Sequence, residues 1–342
     1  MLELVKTLCS LRGVSGAEDE VRDYIREQVM PYADEIREDA LGNLMVFQKG
    51  ALDGGPRLML CAHMDEVGLI VKSVTDEGML RFGCVGGIDR RILLGCRVSV
   101  GPRRIPGVVG LKARHLLDDE EDKKLPKWDD ILIDIGASNR SEAEGAVSLG
   151  ETCVFHGVPE ELGNGFLLAR ALDDRFGCAC LIRRLIEKRP KRDVWSVFTA
   201  QEEAGTRGAY GAAYHVAPDM AIVVETTTAV DLPSLPAHKR VCYPGRGVVI
   251  PTMDKKTIYS PRLVVLARTM ADERGILWQD KEALAGGTDA HAIQTRRGGV
   301  EVLGLSLAAR YLHSPVPMAK IEDMERVYAL FDAVAEALVE VD

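Results

Sequence analysis

Three short apolar runs, Leu58–Cys61, Val194–Phe198 and Ala221–Val224, lack helical period, and each is closely followed by imidazole or carboxylate side chains. Runs of this length bounded by polar residues read as strands buried on both faces, which belong to parallel sheets covered by helices. Between the first two lies a clear helix, Asp174–Arg189, with Phe176, Ala179, Cys180, Ile182, Leu185 and Ile186 as its buried positions and Pro190 ending it. From Ile321 a last amphipathic helix carries Met324, Val327, Phe331, Val334 and Leu338 on one face. The N-terminal residues read as a short amphipathic helix, and the capping-box spacing of Ser15 and Glu18 predicts a second helix running to about Met30.

The stretch from Glu66 to Pro159 has a different texture. Short strand signals (Gly68–Val74, Met79–Phe82, Arg97–Val100, Gly107–Leu111, Thr152–Phe155) alternate with glycine-rich turns. The expected fold is therefore α/β: a mostly parallel sheet sandwiched by helices, interrupted by a small inserted β-domain. Its expected boundaries are 1–66 and 160–342 for the main domain and 67–159 for the insert. The charged run Asp118–Lys127 inside the insert reads as a solvated excursion.

Composition narrows the function classes. The chain has 342 residues, 46% of them hydrophobic, which is enough for a large core. Its 43 Lys and Arg against 52 Asp and Glu give a net charge of −9, which disfavours partners bound through phosphate neutralisation, so no nucleic acid is expected. No apolar stretch approaches the ~20 residues needed to cross a bilayer, and no secretion signal is apparent. The eight cysteines are scattered, without a CxxC pair, and read as reduced thiols of a cytoplasmic protein.

The chemistry gathers at the strand ends. Leu58–Cys61 runs into His63 and Asp65, Val194–Phe198 into Gln201-Glu202-Glu203, Ala221–Val224 into Glu225, and Val302–Leu307 through Arg310 to His313-Ser314-Pro315. The helix at Asp174 is introduced by Leu172-Asp173-Asp174-Arg175. Taken singly, each piece has a plain structural reading: Asp173-Asp174 is good N-capping, and Glu202-Glu203 is a reasonable solvated pair. In an open α/β sheet, however, all five places converge beyond the carboxyl ends of the strands. Charges crowded there must be paired or bound to metal, and Arg175 and Arg310 are too few to neutralise them. Two histidines and several carboxylates without thiolates suit zinc, cobalt or manganese. His63 and Asp65 are two apart on extended chain, so Asp65 can accept the second imidazole N–H. Adjacent extended residues point opposite ways, so one of Glu202 and Glu203 should bind metal while the other faces water.

These motifs resemble the dinuclear-metal aminopeptidases that form tetrahedral particles, including deblocking and glutamyl aminopeptidases and proteins once labelled cellulase M. The resemblance rests on Ala62-His63-Met64-Asp65-Glu66-Val67-Gly68, Ala171-Leu172-Asp173-Asp174-Arg175, Gln201-Glu202-Glu203, Gly286-Gly287-Thr288-Asp289-Ala290 and Arg310-Tyr311-Leu312-His313-Ser314-Pro315, and it spans essentially the whole chain. It implies a zinc-peptidase-like main domain with a barrel-like insert that drives assembly of dimers into a tetrahedral dodecamer. It also implies two divalent ions per subunit, Zn²⁺ or Co²⁺. His63 and His313 would each bind one ion, Asp173 would bridge them and be followed by a cis peptide, Glu203 and Glu225 would complete the two shells, and Glu202 would act as general base. The substrates implied are short peptides losing their N-terminal residue. Three positions depart from the family pattern. Glu225 stands where Asp is usual, His291 where a small residue is common, and Pro317 where Glu often follows His-Ser-Pro-Val.

The same centre would also suit an amidohydrolase of acylated amino acids, and the departures make a metal-binding assembly protein without catalysis a third reading. A glycosidase, which needs a carboxylate pair flanking a sugar, fits poorly. Basic candidates for an acid-preferring pocket are Arg296, Arg297 and Lys239.

Overall fold

The computed structural model describes residues 1–118 and 123–340. Strands in chain order are β1 (Glu35–Glu38), β2 (Leu44–Gln48), β3 (Leu58–His63), β4 (Gly68–Val74), β5 (Leu80–Val85), β6 (Arg97–Val100), β7 (Ile105–Gly110), β8 (Leu132–Asp134), β9 (Thr152–Phe155), β10 (Glu160–Leu162), β11 (Phe166–Leu168), β12 (Val194–Thr199), β13 (Met220–Thr228), β14 (Val248–Ile250), β15 (Trp278–Asp280), β16 (Glu301–Arg310) and β17 (Met318–Lys320). The large sheet runs β1-β2-β12-β3-β13-β16-β17-β11-β10, with β14 and β15 attached beside β16.

At its centre β12, β3, β13 and β16 are parallel, so their carboxyl ends emerge at one edge. Their register pairs Thr199 with His63, Cys61 with Val223, and Glu225 with Ser306. Each of these strands is apolar and buried over nearly its full length, because helices cover both faces. The covering helix Leu172–Glu187 buries Phe176, Ala179, Cys180, Ile182 and Leu185 as expected, but Ile186 is exposed. The helix Ile321–Glu340 buries all five positions read from its period.

β4, β5, β8, β7, β6 and β9 close into a barrel with its own core, built on Leu69, Val71, Leu80, Val98, Val109 and Ile133. The three-residue β8 buries only Ile133 and shows no alternation that could reveal it in the sequence. Positions 119–122 of the charged excursion lie outside the described residues, and most of its remainder is exposed.

The N-terminal capping box does not form. The helix begins at Asp19, and neither Ser15 nor Glu18 caps it. Both side chains are drawn toward the sheet edge instead: Ser15 Oγ donates to Asp65 at 2.5 Å, and Glu18 accepts from the Gly16 and Gln201 backbone N–H groups. A long-range demand for acceptors has overridden the local capping preference.

Candidate metal centre

The structure brings His63, Asp173, Glu203, Glu225 and His313 together at that edge. His63 Nε2 lies 3.1 Å from Glu225 and 3.4 Å from Asp173 Oδ1, while His313 Nε2 lies 3.2 Å from Glu203 and 3.6 Å from Asp173 Oδ2. The arrangement is two triads, His63–Asp173–Glu225 and Asp173–Glu203–His313, sharing one carboxylate; within each triad the donor atoms lie within 4.8 Å of one another. The Asp173–Asp174 peptide is cis.

Each imidazole is oriented by a main-chain carbonyl. His63 Nδ1 donates to the Asp65 carbonyl at 3.0 Å and His313 Nδ1 to the Gly87 carbonyl at 2.9 Å. A carbonyl only accepts, so both Nδ1 atoms carry the proton and both Nε2 atoms face the carboxylates. Gly87 follows β5, so the barrel segment itself fixes one histidine of the main sheet. A Cβ at Gly87 would stand 3.3 Å from that ring.

Asp65 acts differently from the sequence expectation. Its carboxylate stands 3.5 Å from His63 Nδ1, farther than its own carbonyl. The carboxylate instead accepts from the backbone N–H groups of Glu202 (2.9 Å) and Glu203 (3.0 Å) and from Ser15. With Glu18 on Gln201 at 3.0 Å, two buried acids hold three successive N–H groups of one turn. Gln201 enters that turn at φ 58°, so Glu202 and Glu203 are not on extended chain, and turn geometry separates their roles. Asp65→Ala removes the acceptor for two of these N–H groups. We expect kcat to fall roughly 10- to 100-fold, with a loss of about 1–3 kcal/mol for each donor left buried and unpaired, read by steady-state kinetics and chemical denaturation.

A second network backs the first. Arg175, completely buried, donates to the carbonyls of Met64, Leu8 and Leu11 and pairs with Glu66. Arg170 pairs with Glu66 and donates to Ser10 and Leu11. These guanidiniums tie the N-terminal helix to the segment following His63; Arg310 pairs with Asp231. Neither arginine named in the sequence motifs neutralises the triads.

The triads therefore carry a surplus of negative charge. Against burial, which alone would lower them, Glu225 and Asp173 hold the His63 imidazole well above its usual range, and Asp173 and Glu203 raise His313 to about 11. Burial pushes Glu225 up to about 8, and burial with the carboxylates of Asp289, Glu225 and Glu203 raises Glu202 well above the usual carboxylate range. Asp173 Oδ1 and Glu225 Oε2 are buried without a hydrogen-bond partner. A borderline-soft divalent cation would supply what these atoms lack, and the N/O donor set fits one.

Asp289, in the Gly-Gly-Thr-Asp-Ala stretch, is buried beneath the centre, where it accepts from Thr199 at 2.5 Å. Burial raises it to about 6. Pro317 lines the crevice beside Asp173, Glu203 and His313. His291 turns its Nδ1 to the Lys256 carbonyl. Arg296 and Arg297 stack on Tyr210 and Tyr214 of the neighbouring helix, and Lys239 is exposed in a separate turn.

A family model described as M42 glutamyl aminopeptidase matches residues 42–330. The chain belongs to this family. M42 peptidases are metal-dependent in general. The chain is 33% identical to the lysyl aminopeptidase of Pyrococcus furiosus over 354 residues, covering 99% of this chain and 98% of the relative. Its fold matches the TET aminopeptidase of a marine sediment Thaumarchaeota archaeon with a TM-score of 0.93 at 33% identity, over 99% and 98% of the two chains. The TET1 peptidase of Pyrococcus horikoshii, described as assembling into a tetrahedron or a large octahedral shell, matches with a TM-score of 0.87 at 35% identity over 98% of each chain. An M42 aminopeptidase fold thus accounts for both the large sheet and the barrel.

Proposed function

We propose that this M42 protein is a dinuclear metallo-aminopeptidase that removes N-terminal residues from short peptides. The observation that carries the reading is the shared carboxylate: Asp173 offers one oxygen to each of two imidazole–glutamate pairs. His63 and Glu225 would hold one ion, His313 and Glu203 the other, with Asp173 common to both. Ions held there would supply Lewis acidity, the chemistry that lowers the pKa of a water and polarises a carbonyl.

The chain's own groups do the rest. Glu202, on the turn held by Asp65 and Glu18, takes a proton from the attacking water as the new C–O bond forms, then returns it to the leaving amine as the C–N bond breaks. Burial and neighbouring carboxylates make this carboxylate a stronger base than a solvated one. Asp65 holds its backbone rather than touching substrate.

The protein acts as a homo-oligomer in this reading, with the barrel segment as the contact. That segment exposes Leu94, Val108, Leu116, Leu125 and Trp128, and the Pyrococcus horikoshii relative forms shells. No helix among the described residues is long and apolar enough to cross a membrane, and the free cysteines suit the cytoplasm.

The test is chelation and reconstitution. Stripped protein should lose hydrolysis of a panel of aminoacyl p-nitroanilides and regain it as Zn²⁺ or Co²⁺ approaches two equivalents by elemental analysis. Activity on N-acetylated amino acids but not on free-amine substrates would favour the amidohydrolase instead, and two bound ions with no turnover of either would sink both.

A further inference from the structure

The turn that carries Glu202 and Glu203 lies in the loop between β12 and the helix Arg207–Val216. Asp65 and Glu18 hold the N–H groups of residues 201–203 from one side. The residue before them and the far end of the loop are held by a third side chain, that of Asn43, completely buried in the turn between β1 and β2. β2 runs antiparallel to β12 with Leu44 opposite Phe198, which puts Asn43 beside the point where β12 ends. Its Oδ1 accepts from the Ala200 N–H at 2.9 Å, and its Nδ2 donates to the Gly208 carbonyl at 2.9 Å. The second amide hydrogen goes to Asp39 Oδ2 at 2.6 Å. Asp39 is itself fixed, accepting with Oδ1 from the N–H groups of Leu41 at 2.9 Å and Asn43 at 3.1 Å. A carboxylate and a carbonyl only accept, so a single orientation of the amide satisfies all its partners. The Gly208 N–H donates to the Ala200 carbonyl at 3.0 Å, which joins the two ends of the loop directly. The fit is close: a Cβ at Gly208 would collide with Asn43 Oδ1 and with the Ala200 carbonyl.

We infer that Asn43 is a positioning residue for the hydrolytic step: by locking both ends of the 200–208 loop it sets where the Glu202 carboxylate meets the attacking water. The inference rests on the reading of Glu202 as general base. With Asn43 in place, four successive N–H groups, Ala200 to Glu203, end on side-chain oxygens from three distant segments. Gln201 is the pivot, since its φ of 58° turns the chain between the anchored Ala200 and Glu202. Without the Asn43 amide, the Ala200 N–H loses its acceptor and the two ends of the loop lose their common clamp. The segment bearing Glu202 then shifts about that pivot. A general base works only within hydrogen-bond reach of the proton it takes, and misplacement by about 1 Å costs on the order of 100-fold. Neither Asn43 nor Asp39 belongs to the triads, so their effect reaches the reaction through the loop.

The experiment is a double-mutant cycle on metal-loaded protein: wild type, Asn43→Ala, Glu202→Gln and the double variant, assayed on the aminoacyl p-nitroanilide that the wild type cleaves best. Asn43→Ala should lower kcat roughly 10- to 30-fold, with KM within about twofold of wild type and two ions per chain by elemental analysis. In the Glu202→Gln background the same substitution should cost less than about threefold, because the carboxylate it positions is gone. Asn43→Asp, almost the same shape, should lose kcat similarly, since it offers no hydrogens to Asp39 or to the Gly208 carbonyl. An unchanged kcat in Asn43→Ala, or equal losses in the two backgrounds, overturns the proposal: the residue then only knits the fold. Loss of an ion in Asn43→Ala, with kcat restored by excess Zn²⁺, also overturns it, because the clamp would then serve Glu203. Asp39→Ala frees the Asn43 amide from a half-buried turn and carries the test if the Asn43 variants do not fold. Its kcat should fall about three- to tenfold, and only where Glu202 is present; an unchanged kcat overturns the proposal. Failure of the parent reading looks different. Glu202→Gln with near wild-type turnover removes the general base and the proposal with it, whereas a collapsed Glu202→Gln beside additive losses removes the proposal alone.

Discussion

Glu202→Gln protein should bind two metal ions like the wild type yet lose about 10²- to 10⁴-fold in kcat, the range expected for removing a positioned general base. The substitution is nearly isosteric. It also leaves the Glu202 backbone N–H on Asp65 untouched, since that bond uses the main chain. Metal content and KM should therefore hold while turnover collapses. That split separates proton transfer from ligation: if Glu202 were a ligand, elemental analysis of the variant would show a missing ion. Retention of more than about a tenth of wild-type kcat would remove the general-base role.

Asp173→Ala should have an equally large effect by a different route. Because one oxygen of Asp173 faces the His63–Glu225 pair and the other the His313–Glu203 pair, one truncation weakens both triads. Metal content should drop from two ions toward none, with activity lost even at added Zn²⁺ that saturates the wild type. His313→Ala, by contrast, removes a donor from one triad and should leave one ion per chain. An Asp173→Ala protein that still holds one ion tightly would mean that the triads are independent and that the carboxylate is not shared. Asp174 does not replace it: its Oδ1 accepts from the Gly177 N–H inside the helix start, and burial raises the carboxyl well above its usual range.

Much of this site was legible before the fold. His63, Asp173, Glu203, Glu225 and His313 stand at the ends of segments whose apolar pattern already identifies them as buried strands or as a helix start, and strands buried in parallel deliver their ends to one edge. Other features had no local signal. Ser15 and Glu18 carry capping-box spacing, and only the acceptor demand of the Gln201–Glu203 turn explains why they leave the helix uncapped. Gly87 is one of many turn glycines in the insert, yet its carbonyl sets the His313 tautomer. Arg296 and Arg297, basic candidates for an acid-preferring pocket in the sequence, stack on tyrosines of the neighbouring helix instead.

The sequence by itself determined the layered α/β architecture, the inserted β segment and the types of donor at the strand ends, because hydrophobic period and strand-end chemistry are written in neighbouring residues. The tertiary structure decided which oxygen faces which imidazole and what holds the Gln201–Glu203 turn. Those contacts join residues as far apart as Glu18 and Gln201, 183 positions, or Gly87 and His313, 226 positions. Over such separations, partners are chosen by register, burial and the need to satisfy every buried polar group, none of which a local pattern encodes.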